Sequence, residues 1–310
     1  MDEAAMRRAP KTILGGWLAV LLLCSAAMAQ SSGEGLSPTL AAIKKAHVVK
    51  LGYRESSPPF SFLDQANRPI GYSLELCEAI VEDIGVEVDD PALRIEYVKV
   101  TSESRIPAVV DGLIDLECGS TTANAERRKQ VAFSPLIFVA GTKLMLPKTS
   151  KLVSPTDFKG KTIVVTKGTT NEQAIHTVDA KFALGLNILV SPDHEQSYQM
   201  LVDGQADAFA TDDILLSGLI ARHKSQDRFR VVGDYLSYDP YGIMFRKSEP
   251  QLAAVVERTF RRLGSNRDLI PLYNKWFVAR LPTGERMGVS ISPQLEESFK
   301  VLDDSAGGTN

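Results

Sequence analysis

Apolar residues along this chain alternate between two spacings. Short apolar runs, which suit buried strands, are followed by apolar residues three and four apart, which suit one face of a helix. A helix is expected from Ser37, as N-cap, and Pro38 through Lys45. A strand follows over 48–53 and ends at a turn over 54–60, where Pro58 and Pro59 bar both helix and sheet. Leu74, Cys77, Val81 and Ile84 make one helical stripe, expected to be capped by Ser73 and to end near Gly85. A strand over 93–98 and a helix over 104–110 complete a strand–helix alternation that points to a parallel α/β sheet.

The same order then returns. Residues 133–146 are extended and apolar with Gly141 inside, 148–159 is loop-like, and a new strand runs over 162–166. Thr169 and Glu172 fit a capping box for the next helix. A strand over 188–190 leads to a helix capped by Asp193 and stopped at Gly204. A strand over 206–210, a helix over 214–223 and a strand over 229–232 follow. A second extended passage covers 238–246, and the tail carries a helix over 250–263 and another holding Tyr273, Trp276 and Phe277, aromatics expected to pack on the first lobe. Residues beyond Asp303 are expected to fray.

The repetition reaches single residues. Val110-Asp111-Gly112-Leu113-Ile114-Asp115-Leu116 reappears as Val202-Asp203-Gly204-Gln205-Ala206-Asp207-Ala208. In each copy a glycine stops a helix, a buried strand follows, and the strand runs into a polar turn, Ser120 to Thr122 in one and Thr211 to Asp213 in the other. The spacing that carries Ser120 onto Asp212 also carries Ser102 onto His194. Two such halves imply two lobes facing one cleft, and clefts between lobes are where small ligands bind. The expected organisation is lobe 1 from 30–139 and 243–310, lobe 2 from 145–237, and two hinge strands at 140–144 and 238–242.

The first residues read as an address. Arg7, Arg8 and Lys11 precede an apolar run over 13–23 that is short for a membrane span, and Ala27-Met28-Ala29 supplies a cleavage site after Ala29. Leu23 before Cys24 is too bulky for the usual lipid-attachment pattern, and no later stretch suits a membrane helix, so a soluble exported product is expected. A net charge of −3 with no basic tract argues against nucleic-acid binding. Cys77 and Cys118 both point into a core, either as a disulfide of an exported chain or as two buried thiols. Cysteine and histidine spacings for a metal, a G-x-S-x-G elbow and a Walker loop are all lacking, so no cofactor, metal or catalytic group is expected.

At the strand ends and helix starts lie Arg54, Ser102, Arg105, Ser120 and Thr122 in the first half and Thr169, Thr170, His194 and Asp212 in the second. Arg105 can grip a carboxylate through two parallel hydrogen bonds. The free amides at the Thr169–Thr170 helix start offer further donors. Asp212 can pair with an ammonium, while Arg54 and His194, with Ser102, are left for a second carboxylate. An acidic α-amino acid has those three groups. Each residue also has a plainer reading: Thr169 as a cap, Ser120 and Thr122 as turn partners, Asp212 or Asp213 as a cap.

The segments 54–61, 101–107 and 117–122 resemble periplasmic glutamate/aspartate-binding proteins of ABC importers, in solute-binding protein family 3. Val165 to Thr170, Asp193-His194, Thr211-Asp212-Asp213 and Tyr241-Gly242 extend the resemblance into the second half. It implies a bilobal type II binding-protein fold, a periplasmic monomer that binds L-glutamate or L-aspartate, and an ABC transporter permease as partner. By motif match, Arg105, Ser120, Thr122 and Thr170 would hold the α-carboxylate end and Asp212 the ammonium. Arg54, Ser102 and His194 would hold the side-chain carboxylate. Glu103-Ser104 stands where that family suggests Gln-Asn, and a Glu103 carboxylate facing the cleft would weaken acidic ligands. The alternatives are the same fold holding glutamine or asparagine, which would leave Arg54 unmatched, and an enzyme resembling cyclohexadienyl dehydratases, which would need a general acid.

Overall fold

A computed structural model describes residues 35–153 and 155–304. The export segment 1–29 and the tail beyond 304 lie outside the described residues. In chain order, α1 (Pro38–Ala46), β1 (Val48–Tyr53), β2 (Ser56–Ser57), β3 (Ser61–Leu63), β4 (Pro69–Ile70), α2 (Tyr72–Glu87), β5 (Arg94–Lys99), α3 (Arg105–Val110) and β6 (Leu116–Glu117) open the fold. Next come β7 (Val131–Phe133), β8 (Phe138–Ala140), β9 (Thr142–Pro147), β10 (Thr162–Thr166), α4 (Thr170–Phe182), β11 (Asn187–Ser191), α5 (His194–Val202), β12 (Ala208–Asp212), α6 (Asp213–Arg222) and β13 (Phe229–Val232). The chain ends with β14 (Asp239–Tyr241), β15 (Met244–Arg246), α7 (Pro250–Ser265), α8 (Leu269–Tyr273) and α9 (Pro293–Asp304).

Two five-stranded sheets form two α/β lobes. Their orders are β5-β1-β6-β15-β7 and β11-β10-β12-β9-β13. In each, three adjacent strands are parallel, with the earliest of them in the middle, one antiparallel strand follows, and the last strand runs with the first three again. The repeated sequence falls at equivalent places. Leu116 of β6 lies opposite Leu51, and Ala208 of β12 lies opposite Ile163. Gly112 and Gly204, which end the preceding helices, have φ of 71° and 72°, a left-handed conformation that glycine adopts without Cβ strain. The segments linking the sheets pair as β8 and β14, with Phe138 opposite Tyr241 and Ala140 opposite Asp239.

The second sheet buries both faces, as the alternation of a strand requires. Val164 and Phe209 join Leu216 and Leu219 on one face, while Ile163, Val165 and Ala210 join Ile175 on the other. The main core lies in the first lobe, where Phe60 packs edge-on to Phe138, Tyr241 and Phe277, and Trp276 meets Phe62. The tail aromatics therefore pack where the sequence places them. Cys77 of α2 and Cys118, just past β6, are joined as a disulfide across a separation of 41 residues. Among the described residues, no helix is long and apolar enough to cross a membrane.

One expected cap is in place without its side-chain bond, and one lies elsewhere. Ser37 stands at the N-cap of α1 but makes no side-chain cap bond; Glu249, far along the chain, accepts from the Thr39 amide and hydroxyl instead. Ser73 lies inside α2, whose N-cap is Gly71, and its hydroxyl donates to the Gly119 carbonyl. In both cases the bonded partner is distant in the chain. Thr169 and Asp193 do cap α4 and α5, accepting from the Glu172 and Gln196 amides.

Candidate functional site

The carboxyl ends of the parallel strands of both sheets open onto one cavity, the usual ligand position in α/β sheets. Arg54 follows β1, Ser102 follows β5, Ser120 and Thr122 follow β6, and Arg105 begins α3. From the second lobe, Thr170 begins α4, His194 begins α5, and Asp212 joins β12 to α6. Ser102, Arg105, Ser120, Thr122, Thr170, His194 and Asp212 all line the cavity, together with Thr169, Asn171 and Leu215. Arg54 stands behind the wall and donates to the Ser102 hydroxyl at 2.5 Å. The structure thus brings seven of the eight residues given ligand roles by the resemblance to the cavity and the eighth into contact with one of them.

The chemistry of the site is that of buried, incompletely matched charge. Arg54 and Arg105 are 1% and 2% exposed. Burial, then the Arg105 charge, brings the Arg54 guanidinium down to about 9, against support from Glu117 and Asp193. Burial also lowers Arg105, offset by Glu117, Tyr241 and Asp212. His194 offers Nδ1 to the Ser57 hydroxyl at 3.1 Å. Burial first, and Arg54 and Arg105 next, push its imidazole well below the ordinary histidine range. Among the described residues, Nη1 of Arg54, Nε of Arg105, Oγ of Ser120 and Nε2 of His194 are buried with no hydrogen-bond partner. Buried polar atoms are ordinarily paired, so the unpaired atoms of Arg105, Ser120 and His194 at the cavity, with that of Arg54 behind its wall, stand out.

The opposite wall is acidic. Asp212 accepts from Asn171 Nδ2 at 2.8 Å and from the Tyr241 hydroxyl. Burial, with Asp239 nearby, raises its carboxyl from an ordinary 3.8 to about 7. Neither Asp212 nor Asp213 caps α6 with its side chain; Asp213 accepts from the Tyr235 hydroxyl. Glu103 does not line the cavity. It pairs with Lys167 at 2.8 Å, both side chains being about half exposed, so its charge is spent on the second lobe and not on a ligand.

Five polar residues of this region were missed from sequence: Glu117, Arg127, Asn171, Asp239 and Tyr241. Glu117, fully buried, accepts from the Thr121 hydroxyl. A lone carboxylate between Leu116 and Cys118 in an apolar strand was the available signal. Asn171 and Tyr241 announce nothing locally, because their partners lie 29 or more residues away; Arg127 and Asp239 have a near neighbour each, Thr122 and Ser237, but their other partners are remote in the chain. A larger groove, of about 730 Å3, opens on the second lobe beside α4. Its lining of Leu144, Phe158, Ile163 and Ile175 is the open edge of a core and gathers no comparable set of charged groups.

Two lobes closing on a cavity lined by charged groups define a protein that captures small solutes. This chain belongs to the bacterial extracellular solute-binding proteins, family 3, whose model matches residues 49–279. It is 37% identical over 281 residues to a glutamate/aspartate import solute-binding protein of Salmonella typhimurium, covering 90% of this chain and 93% of that one. It is 38% identical over 298 residues to an L-glutamate/L-aspartate-binding protein of Pseudomonas aeruginosa, covering 96% of each. A solved structure of a mutant arginine-binding protein from T. maritima superposes with a TM-score of 0.69 at 26% identity, over 78% of this chain and all of that one.

Proposed function

We propose that this protein captures L-glutamate and L-aspartate in its interlobe cleft, in the periplasm, and hands them as a monomer to an ABC transporter permease for import. The observation that carries this reading is the pair of buried guanidinium groups, Arg105 lining the cavity and Arg54 behind its Ser102 wall, each with an N–H atom left unpaired. Two like charges held out of water are costly unless an anion joins them. A dicarboxylate can match both, with Ser102, Ser120, Thr122, Thr170 and His194 supplying further contacts and Asp212 receiving the ammonium. A neutral amide such as glutamine would leave one guanidinium unmatched. Both relatives are named for binding acidic amino acids, which supports transport over the dehydratase alternative.

In this reading the ligand meets the first lobe through Arg54, Ser102, Arg105, Ser120 and Thr122. The second lobe then covers it, with β8 and β14 as the hinge, and contacts made only in the closed form shift the population. The leader is cleaved after Ala29 during export. Titration calorimetry with L-glutamate, L-aspartate, L-glutamine and L-arginine tests the proposal. Saturable binding of the two acidic amino acids alone is expected; binding of neither would overturn it.

A further inference from the structure

The second lobe reaches the first through α6, which presents two faces to two cores. Leu216 and Leu219 belong to the core of the second lobe, whereas Ile214 and Leu215 join Phe60 and Tyr241 in the main core of the first. Residues four apart share one face of a helix, so Gly218 and Arg222 continue the face that Ile214 begins. Gly218 is buried. Neither residue lines the ligand cavity, and the contacts proposed above make no use of them.

Both meet the turn that follows Arg54. A Cβ on Gly218 would stand 2.9 Å from the Pro58 carbonyl carbon and closer still to its oxygen. That turn is fixed to its own lobe: the Phe60 amide donates to the Ser57 carbonyl and the Tyr72 amide to the Pro59 carbonyl, each at 2.9 Å. One turn further along α6, Arg222 Nη1 donates to the Glu55 carbonyl at 3.3 Å, and its guanidinium lies 5.8 Å from the centre of the Phe62 ring. Inside a helix glycine is less stable than alanine, and no positive φ calls for one here. The approach of Pro58 is what leaves no room for a side chain.

We propose that Gly218 and Arg222 are positioning residues that seat α6 on the turn over 55–58 and so set how far the two lobes close. This seat rests on the binding function proposed above. It forms only when the lobes meet, so it lends stability to the closed form and touches no ligand. Apparent affinity scales with the population of the competent form. Gly218→Ala therefore acts with opposite signs on two quantities: it improves the helix of the free protein and overpacks the closed one.

The test compares wild type, Gly218→Ala and Arg222→Ala by melting curves, calorimetry and stopped-flow binding of L-glutamate and L-aspartate. Gly218→Ala is expected to keep or raise the melting temperature of the free protein while losing roughly tenfold or more in affinity for each ligand. Arg222→Ala is expected to lose about two- to tenfold. In both, the glutamate-to-aspartate ratio stays constant and faster dissociation carries the loss. Unchanged affinities, or a changed ratio, would overturn the seat. So would a lower melting temperature, or a failure to fold, of ligand-free Gly218→Ala, which would make the contact ordinary packing of the free protein. If Arg222→Ala does not fold, Gly218→Ala decides alone. If wild type binds a different amino acid, the function reading fails and the same comparison is made with that ligand; wild-type binding with unaltered variants defeats the seat only.

Discussion

At the scale of single residues, the cavity gathers buried charged groups, some of whose polar atoms have no partner in the protein. Arg105 is the clearest case, with one guanidinium bond to the Ser120 carbonyl at 3.4 Å and Nε unpaired. A buried, charge-assisted contact is worth about 1.5–3 kcal/mol, so Arg105→Ala is expected to weaken L-glutamate binding roughly ten- to two-hundredfold. Calorimetry on the variant reads this directly, and an unchanged dissociation constant would remove Arg105 from the site. Asp212 supports a second prediction, about pH. Its carboxyl is raised in the fold to about 7 from 3.8, so folding favours the protonated form. The stabilisation is fully present below the unfolded value and is lost as pH rises through the folded one. Ligand-free wild type is therefore expected to lose thermal stability relative to Asp212→Asn between about pH 4 and pH 8. Parallel melting curves for the two proteins across that interval would contradict it.

At the scale of elements, what could be read from sequence was whatever a few neighbouring residues decide. The glycine stops at 112 and 204, the strands after them and the caps Thr169 and Asp193 are local, and the structure has them. Ser37 is the N-cap position as read, though the remote Glu249 takes the Thr39 amide in place of its side chain, and Ser73 was misread because it lies inside the helix with its hydroxyl on the remote Gly119 carbonyl. The site divides in the same way. Residues at strand ends were visible because each lobe repeats the pattern, whereas Asn171 and Tyr241 are bonded to Asp212 across 41 and 29 residues of chain. The cysteines left two readings open, since a stripe shows that a thiol is buried but not what it faces; the bridge ties α2 to the end of β6, next to Gly119 and Ser120. Closing a loop of 41 residues restricts the unfolded chain by about 4 kcal/mol. The double variant Cys77→Ala, Cys118→Ala should unfold at a markedly lower urea concentration, and an unmoved midpoint would deny the bridge that role.

At the scale of the whole molecule, two sheets of matching order turn their strand ends toward each other, joined through the β8–β14 pair. The closing motion proposed for this pair predicts a smaller radius of gyration when L-glutamate is added to the free protein in small-angle scattering. An identical profile with saturating ligand would argue for a rigid cleft.

The first sheet has one further property. Its fourth strand, β15, sits between β6 and β7 yet follows the entire second lobe in the chain. A nascent polypeptide stopped anywhere before residue 244 holds β6 and β7 with nothing to knit them together. One half of the molecule must thus wait, incomplete, until nearly four-fifths of the protein has been made. For a chain exported as proposed above, such a delay would keep the larger core open until most of the polypeptide has been made.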